Sequence, residues 1–144
     1  MIAKRQLIPA FVLTILVGAG LMAGSLAAQT SPQAAFDYYS NAVVAEVRDD
    51  RGQEVLKGQF TRPSNPEEER KAPLAQTGID ADATGEAEIE ISGSGNSRRQ
   101  EVEFELRNLQ PGGVFSFFID GRLFATVTAN NRGGAEHERD VPLP

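Results

Sequence analysis

Gly85-Glu86-Ala87-Glu88-Ile89-Glu90-Ile91 and, after the turn material Gly93-Ser94-Gly95-Asn96-Ser97, Glu101-Val102-Glu103-Phe104-Glu105-Leu106-Arg107 decide the fold. Each run alternates polar and apolar residues without a fault. Successive side chains of a strand point to opposite faces, whereas a helix would need apolar residues every three or four positions. The two runs therefore predict an antiparallel hairpin with one oily and one wet face. Keeping Ala87, Ile89 and Ile91 on the face of Val102, Phe104 and Leu106 fixes the parity of the register. That choice also gathers Glu86, Glu88 and Glu90 with Glu101, Glu103 and Glu105 on the other face.

Working outward, Ala42–Arg48 is rich in β-branched residues, Asp49-Asp50-Arg51-Gly52 is a turn signal, and Gln53–Phe60 returns. Gln110-Pro111-Gly112-Gly113 marks another reversal. Val114–Ile119 and Arg122–Thr128 flank Asp120-Gly121, a pair suited to a hairpin turn that needs positive φ at both positions. A two-residue turn there pairs Phe117 with Phe124 and Phe115 with Thr126. Asn130–Gly134 forms the next turn, and Ala135–Val141 is a last, polar strand ended by Pro142. The expectation is an all-β fold, an antiparallel β-sandwich or partly open barrel of 6–7 short strands. Gly85-Glu86-Ala87-Glu88-Ile89-Glu90 is echoed by Gly134-Ala135-Glu136-His137-Glu138, either as a duplicated hairpin unit or as two similar strand starts.

The charged stretch 61–73 breaks the strand pattern. Asn65 suits a helix N-cap with Pro66 at N1 and Glu68 at N3, and Pro73 stops whatever starts. One or two helical turns or a mobile, solvated loop is expected. Upstream, segment 29–41 leads in, with Ser31-Pro32 placed to cap and start a helical turn. Phe36, Tyr38 and Tyr39 are expected to tuck against the domain, the alternative being an exposed tether. Residues 42–144 then form a single β domain.

Residues 1–28 carry Lys4 and Arg5, then no charge from Leu7 to Ala28, then small residues at Ser25-Leu26-Ala27-Ala28. That is the pattern of a secretory signal helix, with cleavage after Ala27 or Ala28 and a retained membrane anchor as the alternative. The protein is expected to be secreted or periplasmic, touching a membrane only through this segment. The chain has no cysteine, so lipid attachment at a lipoprotein-type cysteine, disulfides, thiol catalysis and zinc–cysteine sites are excluded. Its net charge of −6 becomes −8 once Lys4 and Arg5 leave with the signal, which argues against nucleic acid as a partner.

The run from Gly85 to Gly121, with its Gly-Glu-Ala strand start, Leu109-Gln110-Pro111-Gly112 and Phe118-Ile119-Asp120-Gly121, resembles small exported bacterial β-domains without assigned function. More distantly it is similar to chordin-type (CHRD) domains. The resemblance implies export and β architecture. The histidines common after the second strand in chordin-type domains are missing here.

Three constellations bear on function. Six glutamates on one face repel each other, so they call for interleaved arginines, a bound cation or a docked basic partner; the plainer reading is a solvated face that resists aggregation. Asp80-Ala81-Asp82-Ala83-Thr84-Gly85 echoes the first half of a calcium loop, which makes Asp80, Asp82, Glu86 and Glu88 the candidate Ca2+ ligands. The twelfth position is Ile91 rather than glutamate, and Asx turns feeding the next strand explain the loop equally well. Phe115, Phe117 and Phe124 are the candidate partner-binding residues if one face of their hairpin is exposed, although core burial is the preferred reading. His137, the single histidine, is expected at the surface of a polar edge strand.

No GxSxG, HExxH, P-loop or dinucleotide pattern occurs. The expected function is an exported, non-catalytic binding or structural module needing no cofactor. A divalent-cation-binding domain is the alternative, and a carboxylate-based hydrolase a second one.

Overall fold

In the computed structural model residues 31–62 and 69–141 are described. They form a helix, α1 (Pro32–Ser40), and the strands β1 (Val44–Arg48), β2 (Glu54–Gln59), β3 (Arg70–Gln76), β4 (Thr84–Ser92), β5 (Arg99–Arg107), β6 (Val114–Ile119), β7 (Arg122–Thr128) and β8 (Ala135–Val141). The proposed signal segment 1–28 and the helix start at Asn65-Pro66-Glu68 lie outside the described residues. All strand pairs are antiparallel, in the order β7-β6-β1-β2-β3-β4-β5-β8. The first five strands form a meander. β8 returns beside β5 while the β6–β7 hairpin adds to the far side of β1. The two edges, β7 and β8, approach each other, so the sheet curls into a nearly closed barrel.

Eight strands replace the expected six or seven, and the extra one is β3, which begins inside the stretch 61–73 expected to be loop and runs on to Gln76. Pro73 stands within it opposite Glu86 of β4. Proline has no N–H to give to a ladder. Accordingly the β2–β3 pairing is short, covering Leu56↔Gln76 and Lys57↔Ala75. Gly58 faces the proline, and a Cβ there would lie 2.4 Å from the Pro73 carbonyl oxygen. The run of charges also hid a buried one: Arg70 is only 5% exposed, not a solvated residue.

Inside the barrel, Ala87, Ile89, Val102, Phe104 and Leu106 are buried, as the alternation in β4 and β5 predicts. Phe104 stacks on Phe117 at 4.8 Å and on Phe124 at 5.6 Å between ring centres. Asp120 and Gly121 both take positive φ, the requirement of the predicted tight turn. The hairpin register, however, differs from the simple count. Phe118 pairs with Leu123, but Phe117 pairs with Ala125 and Phe115 with Val127. A bulge at Phe124 inserts one residue, so Phe124 and Ala125 both serve the inner side and Leu123 is left 59% exposed.

α1 starts as its sequence predicts, with Ser31 Oγ accepting from the Ala34 N–H at 3.2 Å and Pro32 at N1. Arg70 meets its C-terminal end: the guanidinium donates to Ser40 O at 2.7 Å, to Ala42 O just past the helix at 2.5 Å, and to Thr61 O in the segment after β2 at 2.9 Å. Fully buried Gln100 donates to Ser40 Oγ at 3.0 Å, and the Tyr38 hydroxyl donates to Ile119 O. Asp120 accepts from the Val43 and Val44 N–H groups. The helix is thereby fixed across the barrel end where β1, β3, β5 and β7 begin and β6 and β8 finish.

Candidate functional site: a carboxylate face

The register of β4, β5 and β8 aligns acids across three strands. Glu86 stands opposite Glu105, which stands opposite Glu136; Glu88, Glu103 and Glu138 make the next row; Glu90, Glu101 and Asp140 make the third. Three rows of three carboxylates thus cover the outer surface of these strands. β8 contributes because its sequence echo of β4 is also a structural one, both strands flanking β5 in the same register. The alternation in β4 and β5 identified six of the nine; the three from β8 follow only from strand order.

Cations sit at the perimeter. Lys71 of β3 reaches Glu86 at 3.3 Å and Glu88 at 3.1 Å. Arg107 pairs with Glu105 at 2.5 Å, and Arg99 with Asp140 at 3.3 Å. Among the described residues, no cation lies within ion-pair distance of Glu103 at the centre. Partial burial raises the affinity of the Glu103 carboxyl for its proton, and Glu136, Glu88, Glu138 and Glu101 raise it further. Glu101 is pushed up in the same way, by burial first and then by Glu138, Glu90 and Asp140. On the opposite wall Glu46 shows the contrary arrangement. Hydrogen bonds from Lys57 at 3.0 Å and Arg48 at 2.7 Å hold its carboxyl below the usual value.

Neighbouring strands set carboxylates about 5 Å apart across a sheet, and next-but-one residues about 7 Å apart along it. A calcium ion needs six to eight oxygens at 2.3–2.6 Å, so a flat lattice suits many separate positive charges better than one chelated ion. Among the described residues no group of three acids or histidines gathers closely enough to hold a metal. The four candidate calcium ligands are split between three places. Glu86 and Glu88 share Lys71, whereas Asp80 lines an open groove of about 760 Å3 with Asp49 and Asp50, and Asp82 is exposed in the turn before β4. The Asp49 carboxylate in that groove already accepts from the Arg51 and Gln53 N–H groups at 3.0 and 2.8 Å.

Phe115, Phe117 and Phe124, weighed as a docking face, are core residues at most 4% exposed; the curl of the sheet turns their side of the hairpin inward. His137 departs from the expected surface position. Its ring is half-buried, edge-on to Phe124 at 5.4 Å, with Nε2 buried and without a hydrogen-bond partner. The reason is parity. The odd-numbered residues of β8 face the barrel interior, so the same alternation that exposes Glu136 and Glu138 turns His137 inward.

No protein-family model, curated protein or solved structure matches the chain. The chordin-type resemblance therefore rests on the residues that suggested it.

Proposed function

We propose that this chain is an exported, non-catalytic binding module whose β4–β5–β8 face docks a basic partner, such as a lysine-rich peptide segment or another polycation. The observation that carries this reading is the in-register lattice of nine carboxylates with its cations confined to the rim. Like charges held opposite one another weaken a sheet. A cationic partner relieves that repulsion and draws binding free energy from it. Complementary fields of this kind also accelerate encounter.

Titration calorimetry with an octa-lysine peptide tests the proposal. Binding is expected at 20 mM salt, weakening at least tenfold at 300 mM, and weakening similarly when Glu101, Glu103 and Glu138 are all replaced by glutamine. Absence of binding at low salt, or equal affinity in the triple variant, overturns it. Direct Ca2+ titration addresses the alternative reading. Saturation at micromolar Ca2+ with Mg2+ inert would favour a chelating site over a polycation surface.

A further inference from the structure

A second surface has the opposite sign. Where the two sheet edges meet α1, a cleft of about 320 Å3 is walled by Tyr38 and Tyr39 of the helix, Arg122 and Leu123 of β7, and Arg139 and Val141 of β8. In a chain of net charge −6 it carries two guanidinium groups and no carboxylate. Neither arginine is in an ion pair among the described residues. Arg122 is held over the Tyr38 ring at 4.4 Å, and Arg139 over the Phe124 ring at 4.2 Å, with a hydrogen bond to the Phe124 carbonyl. Of the acids next to them in the chain, Asp120 accepts from the Val43 and Val44 N–H groups, Asp140 pairs with Arg99, and Glu138 stands on the outer face of β8 opposite Glu103. Tyr38 stays a neutral phenol, its pKa pushed up to about 12 by burial and by the charge of Asp120.

The remainder of the wall is apolar: two tyrosine rings, Ala35, Val141 and the exposed Leu123. A guanidinium fork matches a planar oxyanion, and the surrounding rings and aliphatic groups match a hydrocarbon body. The volume lies at the low end of the roughly 300–1,000 Å3 typical of small-molecule sites, which suits a single short chain rather than a whole phospholipid. We propose that this cleft binds small amphipathic anions, namely carboxylates bearing a medium-length hydrocarbon chain. The inference is independent of the carboxylate face, which lies on the outer side of β8 whereas Arg139 points to its inner side.

The protein supplies its own reporter, because its two tyrosines both line the cleft and it contains no tryptophan. Decanoate, kept below its micellar concentration, is titrated into the full chain while tyrosine emission and melting temperature are followed. A saturable emission change with a rise in melting temperature is expected, with at least tenfold weaker responses to decanol and to decyltrimethylammonium. Arg122→Gln, an exposed substitution, is expected to weaken decanoate binding at least threefold with unchanged circular dichroism. Adding Arg139→Gln is expected to weaken it further. Decanol or decyltrimethylammonium binding as well as decanoate, an unchanged affinity in Arg122→Gln, or no saturable response at millimolar decanoate each overturns the proposal. Phosphatidylglycerol vesicles form a separate arm. Binding to them without any response to free decanoate assigns the arginines to a membrane surface and likewise overturns it.

Discussion

Replacing Glu103 by glutamine removes the central charge of the carboxylate face while keeping its shape, so the protein is expected to gain stability. The two residues directly opposite are Glu88 and Glu138, and Glu101 and Glu105 follow along the strand. Lys71 blunts Glu88 and Arg107 blunts Glu105, which leaves Glu136, Glu138 and Glu101 as the main sources of repulsion. Unit charges about 5 Å apart in water repel by roughly 0.8 kcal/mol before screening, and measured like-charge pairs across strands cost some tenths. Together such pairs give a gain of about 0.5–1 kcal/mol at 10 mM salt, or ~2–5 °C in melting temperature for a domain of this size. Screening at 0.5 M salt should remove more than half of it, because the Debye length then falls to about 4 Å. Glu46→Gln is the control of opposite sign. Its carboxylate is held by Lys57 and Arg48, so the same change is expected to lower the melting temperature. Thermal melts of the three proteins by circular dichroism, at both salt concentrations, make the comparison. A loss of stability in Glu103→Gln, or a gain that salt leaves untouched, refutes the electrostatic reasoning.

Three further outcomes are expected. The raised carboxyls of Glu101 and Glu103 bind protons more readily in the folded than in the unfolded chain, so stability should rise as pH falls from 7 through their raised values towards the ordinary 4.5. Below that value the lowered carboxyl of Glu46 takes its proton and its contribution is lost, which places the maximum near pH 5 in a series of urea melts. In Arg70→Met the α1 carbonyls lose their donors, and the cost is expected to be about 2–4 kcal/mol, since charge-assisted bonds to buried acceptors disappear; denaturant titration together with protease sensitivity around residues 31–42 checks it. At matched ionic strength Ca2+ and Mg2+ should shift the melting temperature equally, within about 1 °C, because dispersed carboxylates attract divalent ions without selecting between them.

What was legible in the sequence follows from which forces are local. Alternation in β4 and β5 names the buried face, the parity of pairing and the acids that share a side, because side-chain direction is set residue by residue. Asp120-Gly121 and Ser31-Pro32 are equally local, one through positive φ and the other through a cap. β3 escaped because its sequence carries no β signal. A proline and a dense charge run read as loop, yet Ala72 and Leu74 fill the barrel and Arg70 turns inward for the carbonyls of a helix thirty residues earlier. The Phe124 bulge escaped for another reason: nothing near it in sequence demands an extra residue, and only closure of the sheet does. The nine-carboxylate lattice lies between these cases. Its rows are written in each strand, but the juxtaposition of β8 with β5 is a property of the topology.

That topology also explains why the polar β8 belongs in a barrel at all. A closing strand without a hydrogen-bonded neighbour on its free side exposes backbone groups, an invitation to pair with other chains. Here β8 faces β7 across the seam, and side chains bridge it instead of a ladder. Arg139 donates to the Phe124 carbonyl and covers the Phe124 ring, His137 meets the same ring edge-on, and Tyr39 packs against it from α1 at 6.0 Å. The two middle inward positions of β8, His137 and Arg139, are thus polar where they meet the edge of β7, while Ala135 and Val141 at its ends are buried apolar residues. The outward positions are acidic and repel a second copy approaching with the same face. One alternating strand therefore serves two opposite surfaces: Arg139 bridges the seam and lines the cleft, while Glu136, Glu138 and Asp140 complete the lattice. Arg139→Glu should therefore open the seam and lower the melting temperature, whereas Glu138→Arg sets a cation opposite Glu103 and should raise it; thermal melts of the two variants by circular dichroism check the pair.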